Sequence, residues 1–431
     1  MDTLLQQPKP ARTDAIGTTS GRQRIVVIGA GFGGLTAAEH LARVNAEVIV
    51  IDRRNHHLFQ PLLYQVATAA LSPADIAGPI RGILGPKQNT RVILGTVTGI
   101  DVAGRAVLLS GRRIAYDQLV IATGARDSYF GHDEWARFAM PLKNIEEATA
   151  MRRRILVAFE HAEDSDDEAE RRRLLTFVII GGGPTGVELA GALAELAKAA
   201  LARDFRRIDP TTSRIVLVEA GPRLLASFPP QLSAVAAKAL QGLGVEVRLG
   251  VGVTNCDAEG AVLGDERIES RTLIWAAGVA ASAAADWLGV KPGHGGRVPV
   301  GSDLTLPGHP EIFVVGDTAE IAGMPLPGVA PVAKQQGAYV ARVIRSRLTG
   351  TQPPEPFRYR NYGNLATIGR KQAVVDLGWM RLTGRIAWLI WTAAHIYYLI
   401  GFRNRMAIAI DWLWSYLTYQ RGARLITGEY M

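Results

Sequence analysis

Two glycine turns carry the most specific chemistry in the sequence. Gly29-Ala-Gly31-Phe-Gly33-Gly34 and Gly181-Gly182-Gly183-Pro184-Thr185-Gly186 both fit Gly-x-Gly-x-x-Gly, with glycines at 29, 31 and 34 and at 181, 183 and 186. The first glycine permits a tight turn, the second lets the backbone approach a pyrophosphate, and the third lets a helix pack closely on a strand. Phosphates of a dinucleotide would then rest on the free N–H groups at the positive end of that helix. An acid ends the next apolar run in each case, Asp52 after EVIVI and Glu219 after RIVLV. A carboxylate at that point holds a ribose hydroxyl. Glu219 would also repel a 2′-phosphate, which favours NADH over NADPH, with Arg223 moderating the preference.

Such turns work only between a strand and a helix, and the flanking sequence supplies both. RIVVIG (24–29) leads into the first turn, LTAAEHLARV follows with helical spacing, and EVIVID (47–52) is the next strand. FVIIG (177–181) leads into the second, GVELAGALAELAKAALA reads as one long helix, and RIVLVEA (214–220) closes the unit. The repeat is an internal duplication of an α/β unit. Later strands LVIATG (119–124), TLIWAAG (272–278) and IFVVGD (312–317) bring Gly124, Gly278, Gly316 and Asp317 toward the same strand ends. The charge run EHAEDSDDEAERRRLL (160–175) reads as a solvated helix. After about residue 346 come a Pro-rich linker (TQPPEPF), a β-like stretch (ATIGRKQAVVDL) and an aromatic tail.

Length and composition narrow the function. A chain of 431 residues suggests two to four domains at roughly 100–200 residues each. Cys256 is the only cysteine, which excludes an intramolecular disulfide, a dithiol couple and a cysteine-based metal or iron–sulfur site within one chain. Electrons would therefore travel on an organic cofactor, and two dinucleotide sites suggest a flavin that accepts hydride from a nicotinamide. The net charge of +8 does not point to nucleic acid, because the basic excess is arginine without a lysine-rich tail or an aromatic RNA-binding pattern. Arginines in 381–431 accompany Trp388, Trp391, Trp412 and Trp414, a combination suited to a membrane interface. Residues 1–23 lack the apolar core of a secretory signal and read as a mobile polar tail. No histidine spacing suggests a metal.

Ile386 to Phe402 is an uncharged run of seventeen residues bracketed by Arg385 and Arg403, at the lower limit of about 17 for a spanning helix. A buried core helix, a span and an interfacial helix pair all remain open, with the interfacial pair favoured because Asp411 interrupts the next apolar stretch. Without a set of spanning helices there is no route for pumping protons.

GAGFGG (29–34), HHLFQPLLYQVATAALSP (56–73), GGGPTGVELAGALAEL (181–196), WAAGV (275–279), VVGD (314–317) and GFRNR…WSYLTYQRGARLITG (401–428) together resemble the type II NADH dehydrogenases. These are single-chain, non-proton-pumping NADH:quinone oxidoreductases, and the likeness runs from about residue 24 to 428. It implies an α/β fold with two Rossmann-like dinucleotide-binding domains of the two-dinucleotide flavoprotein type and a C-terminal amphipathic membrane-interface segment. The expected division is a tail over 1–23, an FAD domain over 24–145 and 297–345, an NADH domain over 146–296, and membrane-associating elements over 346–431. The resemblance implies tightly bound FAD, with Asp52 on the adenosine ribose, Asp317 on the ribityl chain, and Pro61, Leu62 and Gln65 beside the isoalloxazine. It places Glu188 near the nicotinamide, where the dipole of the helix would also favour a carboxylate.

The family's quinone pattern, Ala-Gln-x-Ala-x-Gln, is met at Ala330, Ala333 and Gln335, with Gln336 following; proline at 331 cannot supply the first glutamine's amide. Pro331 does suit the first turn of a helix. Arg403 and Arg405 would join the tail tryptophans in anchoring the enzyme, as a monotopic protein, to the cytoplasmic face of the membrane. A homodimer is left open. The alternative function is an NADH-reducible flavoprotein with another acceptor, or a redox sensor.

Overall fold

The computed structural model describes residues 21–399, 401–418 and 421–428, so most of the N-terminal tail lies outside the described residues. Two compact units divide the chain. One comprises Met1–His57, Gly78–Arg126 and Val279–Asn361; the other comprises Leu58–Ala77, Asp127–Gly278 and Tyr362–Met431.

The first unit is built on a six-stranded sheet. In spatial order its strands are Thr305–Leu306, His309–Val314, Gln118–Ile121, Gln23–Ile28, Ala46–Asp52 and Thr90–Leu94. All pair in parallel except the first, which is antiparallel to its neighbour. Gln23–Ile28 is central, with Val26 opposite Ile49 on one side and Leu119 on the other. Its residues Ile25, Val26 and Val27 are fully buried, which explains an unbroken β-branched run where a half-exposed strand would alternate. The helix Phe32–Leu41 packs against the long helix Ala330–Thr349. Gly33 and Gly337 allow that contact, since a Cβ on Gly337 would stand 2.1 Å from the Gly33 carbonyl oxygen.

The second unit repeats the plan. Its parallel sheet runs Ala139–Met140, Thr272–Trp275, Thr176–Ile180, Arg214–Glu219 and Val245–Leu249. Again the strand that enters a glycine turn is central. In both units a three-stranded antiparallel meander follows the parallel edge strand, 97–115 after Thr90–Leu94 and 253–269 after Val245–Leu249. The duplication read from the sequence is therefore a duplication of topology. Two local readings change. The charge run is two helices, Ile145–Asp164 and Glu168–Leu174, because Asp167 caps the second by accepting from the Ala169 N–H at 2.8 Å. The expected single helix after the second turn is α-helical over Pro184–Glu195 and widens to a π-turn over Leu196–Ala200.

The second unit also holds the tail. Asn364–Thr367, Ala373–Asp376 and Arg381–Thr383 form an antiparallel sheet, and the helices Gly384–Tyr398 and Phe402–Thr418 follow. Gly401, at φ +86°, lies between the helices. The uncharged run is thus broken in two, and among the described residues no helix is long and apolar enough to cross a membrane.

Candidate active site

The two glycine turns are near copies. Gly29 has φ +93° and Gly181 φ +114°, and a Cβ on either would collide with backbone, 2.4 Å from the Ala122 oxygen or 2.5 Å from the Ala276 carbonyl. A Cβ on Gly34 would stand 1.9 Å from the Gly29 oxygen, and one on Gly186 1.8 Å from the Gly181 oxygen. By contrast, a Cβ on Gly31 or Gly183 would meet nothing within 4 Å. Those middle glycines border open space in front of uncapped helix N-termini. This cradle fits a pyrophosphate, which needs free N–H groups and close backbone approach.

The acids are held in matching ways. Asp52 accepts from the N–H groups of Ala30 at 2.6 Å and Arg54 at 2.8 Å; Glu219 accepts from Gly182 at 2.6 Å and Gly221 at 2.7 Å. Each carboxylate therefore braces its own turn. Arg223 is committed elsewhere. Its guanidinium donates to the carbonyls of Phe228 and Ala226, both at 2.6 Å, and to the Ser233 hydroxyl at 2.8 Å. Its donors are thus directed to uncharged loop groups and not to Glu219.

Gly124 and Gly316 join the first turn's unit through Thr318, whose hydroxyl donates to the Gly124 oxygen at 3.2 Å. Gly316 has φ +73°, and its N–H donates to the Gln336 side-chain oxygen at 2.6 Å. Gln336, expected in a quinone pocket, is 1% exposed and supports the turn that carries Asp317. Gln335 is paired with the backbone. Its amide donates to the Arg360 oxygen at 2.8 Å and accepts from the Arg360 N–H at 2.9 Å, a reciprocal pair that engages each end once. Ala333 packs near Gly33 and Gly316. Pro331 takes its place in the first turn of its helix, as expected. In the second unit, Gly278 lies under the Phe130 ring, 2.5 Å from where its Cβ would be.

A cleft in the second unit gathers residues from six stretches of chain. Pro61 and Leu62 lead into the short helix Leu63–Ala67, which contributes Tyr64 and Gln65. Glu188 and Glu195 come from the second-turn helix, Thr367 from the tail sheet, and Trp388, Trp391 and Trp412 from the tail helices. Gly191 lets the tail sheet approach, since a Cβ there would be 2.7 Å from the Gly369 nitrogen.

Glu188 is buried, and desolvation pushes its carboxyl up to about 8, although the Thr367 N–H at 3.3 Å and the nearby Trp391 indole favour the anion. Among the described residues the indole N–H of Trp391 makes no hydrogen bond, so its influence is weak. Arg421 closes the cleft. It donates to the carbonyls of Thr68 at 2.6 Å and Ala192 at 2.9 Å, and lies 3.5 Å from Glu195. Burial pulls its guanidinium down to about 10, with Glu195 opposing the shift.

The tail helices have two faces. Ala387 and Trp391 are buried, as is Ile408, while Ile386, Leu389 and Tyr397 on one helix and Met406, Ile410, Leu413 and Trp414 on the other are exposed. The anchor expected at Trp391 is corrected by its 1% exposure: the ring stacks on His395 at 4.0 Å. Trp412 is also turned to the cleft, donating its indole N–H to the Gln65 oxygen at 2.8 Å. Arg403 is exposed, whereas Arg405 donates to the Leu399 oxygen. Sequence reasoning missed Tyr64, Thr367 and Arg421 as site residues, though Tyr64 and Arg421 stand inside the quoted family motifs. Cys256 is buried, and desolvation raises its thiol to about 12, which makes it inert as a nucleophile.

Comparison with known proteins agrees with this arrangement. Residues 23–337 match the pyridine nucleotide-disulphide oxidoreductase family and residues 362–420 the NDH2 C-terminal domain. Type II NADH:quinone oxidoreductase Ndh of Mycobacterium tuberculosis is 45% identical over 423 residues, covering 95% of this chain and 91% of that protein. A type II NADH:quinone oxidoreductase of Staphylococcus haemolyticus is 30% identical over 380 residues, covering 85% of this chain and 92% of the other. In fold, the chain is similar to NDH2 from Plasmodium falciparum in complex with NADH, with a TM-score of 0.84 at 20% identity, covering 94% of this chain and 100% of that one. Matched almost end to end by a relative of such identity, with both family models falling on the turns and the tail, the chain belongs to the type II NADH:quinone oxidoreductases.

Proposed function

We propose that the chain is an FAD-dependent NADH:quinone oxidoreductase that takes hydride from NADH and delivers two electrons to a membrane quinone without pumping protons. The observation that carries this reading is the pair of near-identical dinucleotide turns in a chain without a dithiol. FAD, when bound, supplies the conversion between hydride and electrons. In this reading residues 24–145 and 297–345 hold FAD, 146–296 hold NADH, and 346–431 meet the membrane.

The N–H groups behind Gly31 would cradle the FAD pyrophosphate, with Asp52 on the adenosine ribose and Asp317 on the ribityl chain. The second turn would hold NADH in the same way. Glu219 favours NADH, and the engagement of Arg223 by loop carbonyls strengthens that preference. Forming a quinol takes two protons, of which hydride brings one. The burial of Glu188 supports its carboxyl as the store of the second at neutral pH. Three tryptophans lining the same cleft would exclude water from the acceptor. We therefore assign the quinone to the Glu188 cleft, in preference to the engaged amides of Gln335 and Gln336.

The exposed apolar stripes of the tail helices support peripheral attachment to a lipid surface. The cytoplasmic face is the side on which NADH is supplied. A second copy covering the stripes would instead appear as a dimer in solution.

Anaerobic mixing tests the reading. NADH should bleach the flavin band quickly and NADPH slowly, and a short-chain quinone should then restore the colour. Bleaching without restoration would refute the quinone half and leave the NADH half standing.

A further inference from the structure

The acceptor cleft contains a chain of hydrogen bonds whose direction is fixed at one end. The indole nitrogen of Trp412 can only donate. It lies 2.8 Å from Gln65 Oε1, so that oxygen is the accepting end of the amide. The opposite end, Gln65 Nε2, must then face Tyr64, and it donates to the phenol oxygen at 3.0 Å. A flipped amide would set two donors against each other at Trp412, which excludes the reverse orientation.

The Tyr64 oxygen is thus held as an acceptor toward Gln65, and its own proton must be directed elsewhere. Among the described residues the phenol O–H donates to no acceptor, although Tyr64 is buried and lines the cleft. Glu188 lines the same space without a hydrogen bond to the phenol. A buried donor with no partner is stabilised by a ligand that brings an acceptor.

We propose that Tyr64 is the donor that recognises a carbonyl oxygen of the acceptor, its O–H kept facing the ligand by the Trp412–Gln65 relay. This rests on the assignment of the quinone to the Glu188 cleft. Tyr64 is then a substrate-binding residue, and Gln65 and Trp412 are positioning residues. The tail helix Phe402–Thr418 sets the polarity of the cleft as well as closing it. The ligand must therefore present an acceptor oxygen at this point, as a quinone carbonyl does.

Steady-state and stopped-flow kinetics of the flavin-loaded enzyme test the relay, with a short-chain quinone as acceptor. Tyr64→Phe should raise the quinone KM about ten-fold, as loss of one buried hydrogen bond implies. Bleaching by NADH should fall far less, and this split distinguishes a ligand contact from general damage. Trp412→Phe should raise the quinone KM by a smaller factor, about three-fold, and the double variant should resemble Tyr64→Phe alone because both act on one contact.

A wild-type quinone KM in Tyr64→Phe overturns the proposal, as do single effects that multiply in the double variant. If Tyr64→Phe loses its flavin, Gln65→Met, which frees the phenol O–H, serves for the same comparison and must raise the quinone KM. Wild-type enzyme that bleaches with NADH but never recovers on quinone refutes the functional reading, and the proposal with it. Normal wild-type turnover with an unchanged Tyr64→Phe refutes the proposal alone.

Discussion

Replacing Glu188 by glutamine should remove a pH dependence of stability that follows from its burial. The carboxyl is raised from an ordinary 4.5 to about 8 by desolvation. The folded state therefore binds the proton more tightly than the unfolded state does. The resulting stabilisation is complete below pH 4.5, erodes as pH rises, and is gone once pH passes about 8. Linkage over that shift amounts to about 5 kcal/mol in total, of which about 3 kcal/mol falls between pH 6 and pH 9. For a chain or unit of this size the difference corresponds to roughly 3–6 °C in melting temperature. Thermal unfolding of the flavin-loaded protein at the two pH values would show it. The wild-type midpoint should drop by that amount more than the midpoint of Glu188→Gln, since every other titrating group is common to both. Parallel drops would mean that Glu188 ionises as an ordinary surface acid, and the proton store in the acceptor cleft would have to be abandoned. Quinone turnover offers a second reading of the same group: its rate should decline above about pH 8 in the wild type.

Arg421→Met should destabilise the protein by about 2–4 kcal/mol in denaturant unfolding, because the Thr68 and Ala192 carbonyls would lose their donor and Glu195 one of its two arginines, Arg370 remaining. Arg421→Lys should recover only part of that loss, since one ammonium cannot reproduce the fork that reaches Thr68 and Ala192 together. Glu219→Gln should lower the KM for NADPH about ten-fold relative to NADH by removing the repulsive charge, while Arg223→Ala should leave the NADPH-to-NADH ratio almost where it was. Ile410→Glu with Leu413→Glu should release the protein from anionic vesicles in a sedimentation assay, with flavin content retained; undiminished sedimentation would count against the tail stripe as the lipid contact.

The glycine turns were legible because their chemistry is local. Each needs three glycines, a strand before and a helix after, all within one short stretch of sequence, and the structure repeats them almost atom for atom. The cleft around Glu188 was not legible, since Tyr64, Glu188, Thr367, Trp412 and Arg421 meet only after the chain has folded. Sequence spacing carries no information about that meeting. The pairing of Gln335 was hidden for a related reason. Its partner is the backbone of Arg360 in an irregular segment, and no side-chain pattern announces a backbone hydrogen bond. Trp391 is the more instructive miss. The helix around it is apolar on almost every side, so hydrophobic periodicity could not tell its inner face from its outer one.

In the proposed reading the apolar residues of the tail helices serve two apolar surroundings at once, the cleft and a lipid surface. Ala387, Trp391 and Ile408 turn inward, and indole rings from both helices wall the cleft that holds Glu188. Ile386, Leu389, Ile410 and Leu413 turn outward, where water would leave them unfavourably exposed. A helix with one polar face could supply a wall or a lipid contact, but not both. In that reading, an acceptor that dissolves in lipid and reacts in a dry cleft needs an apolar route between them, and the outward and inward apolar residues of these helices would provide it without spanning the bilayer. Trp412 adds the polar element at the inner end of that route. Its indole N–H orients Gln65, and Gln65 in turn fixes Tyr64. Loss of the tail should therefore do more than detach the protein from membranes: it should also abolish quinone reduction in free solution, where attachment plays no part. A truncated protein that reduced a soluble quinone as well as the full chain would separate the two roles and refute this coupling.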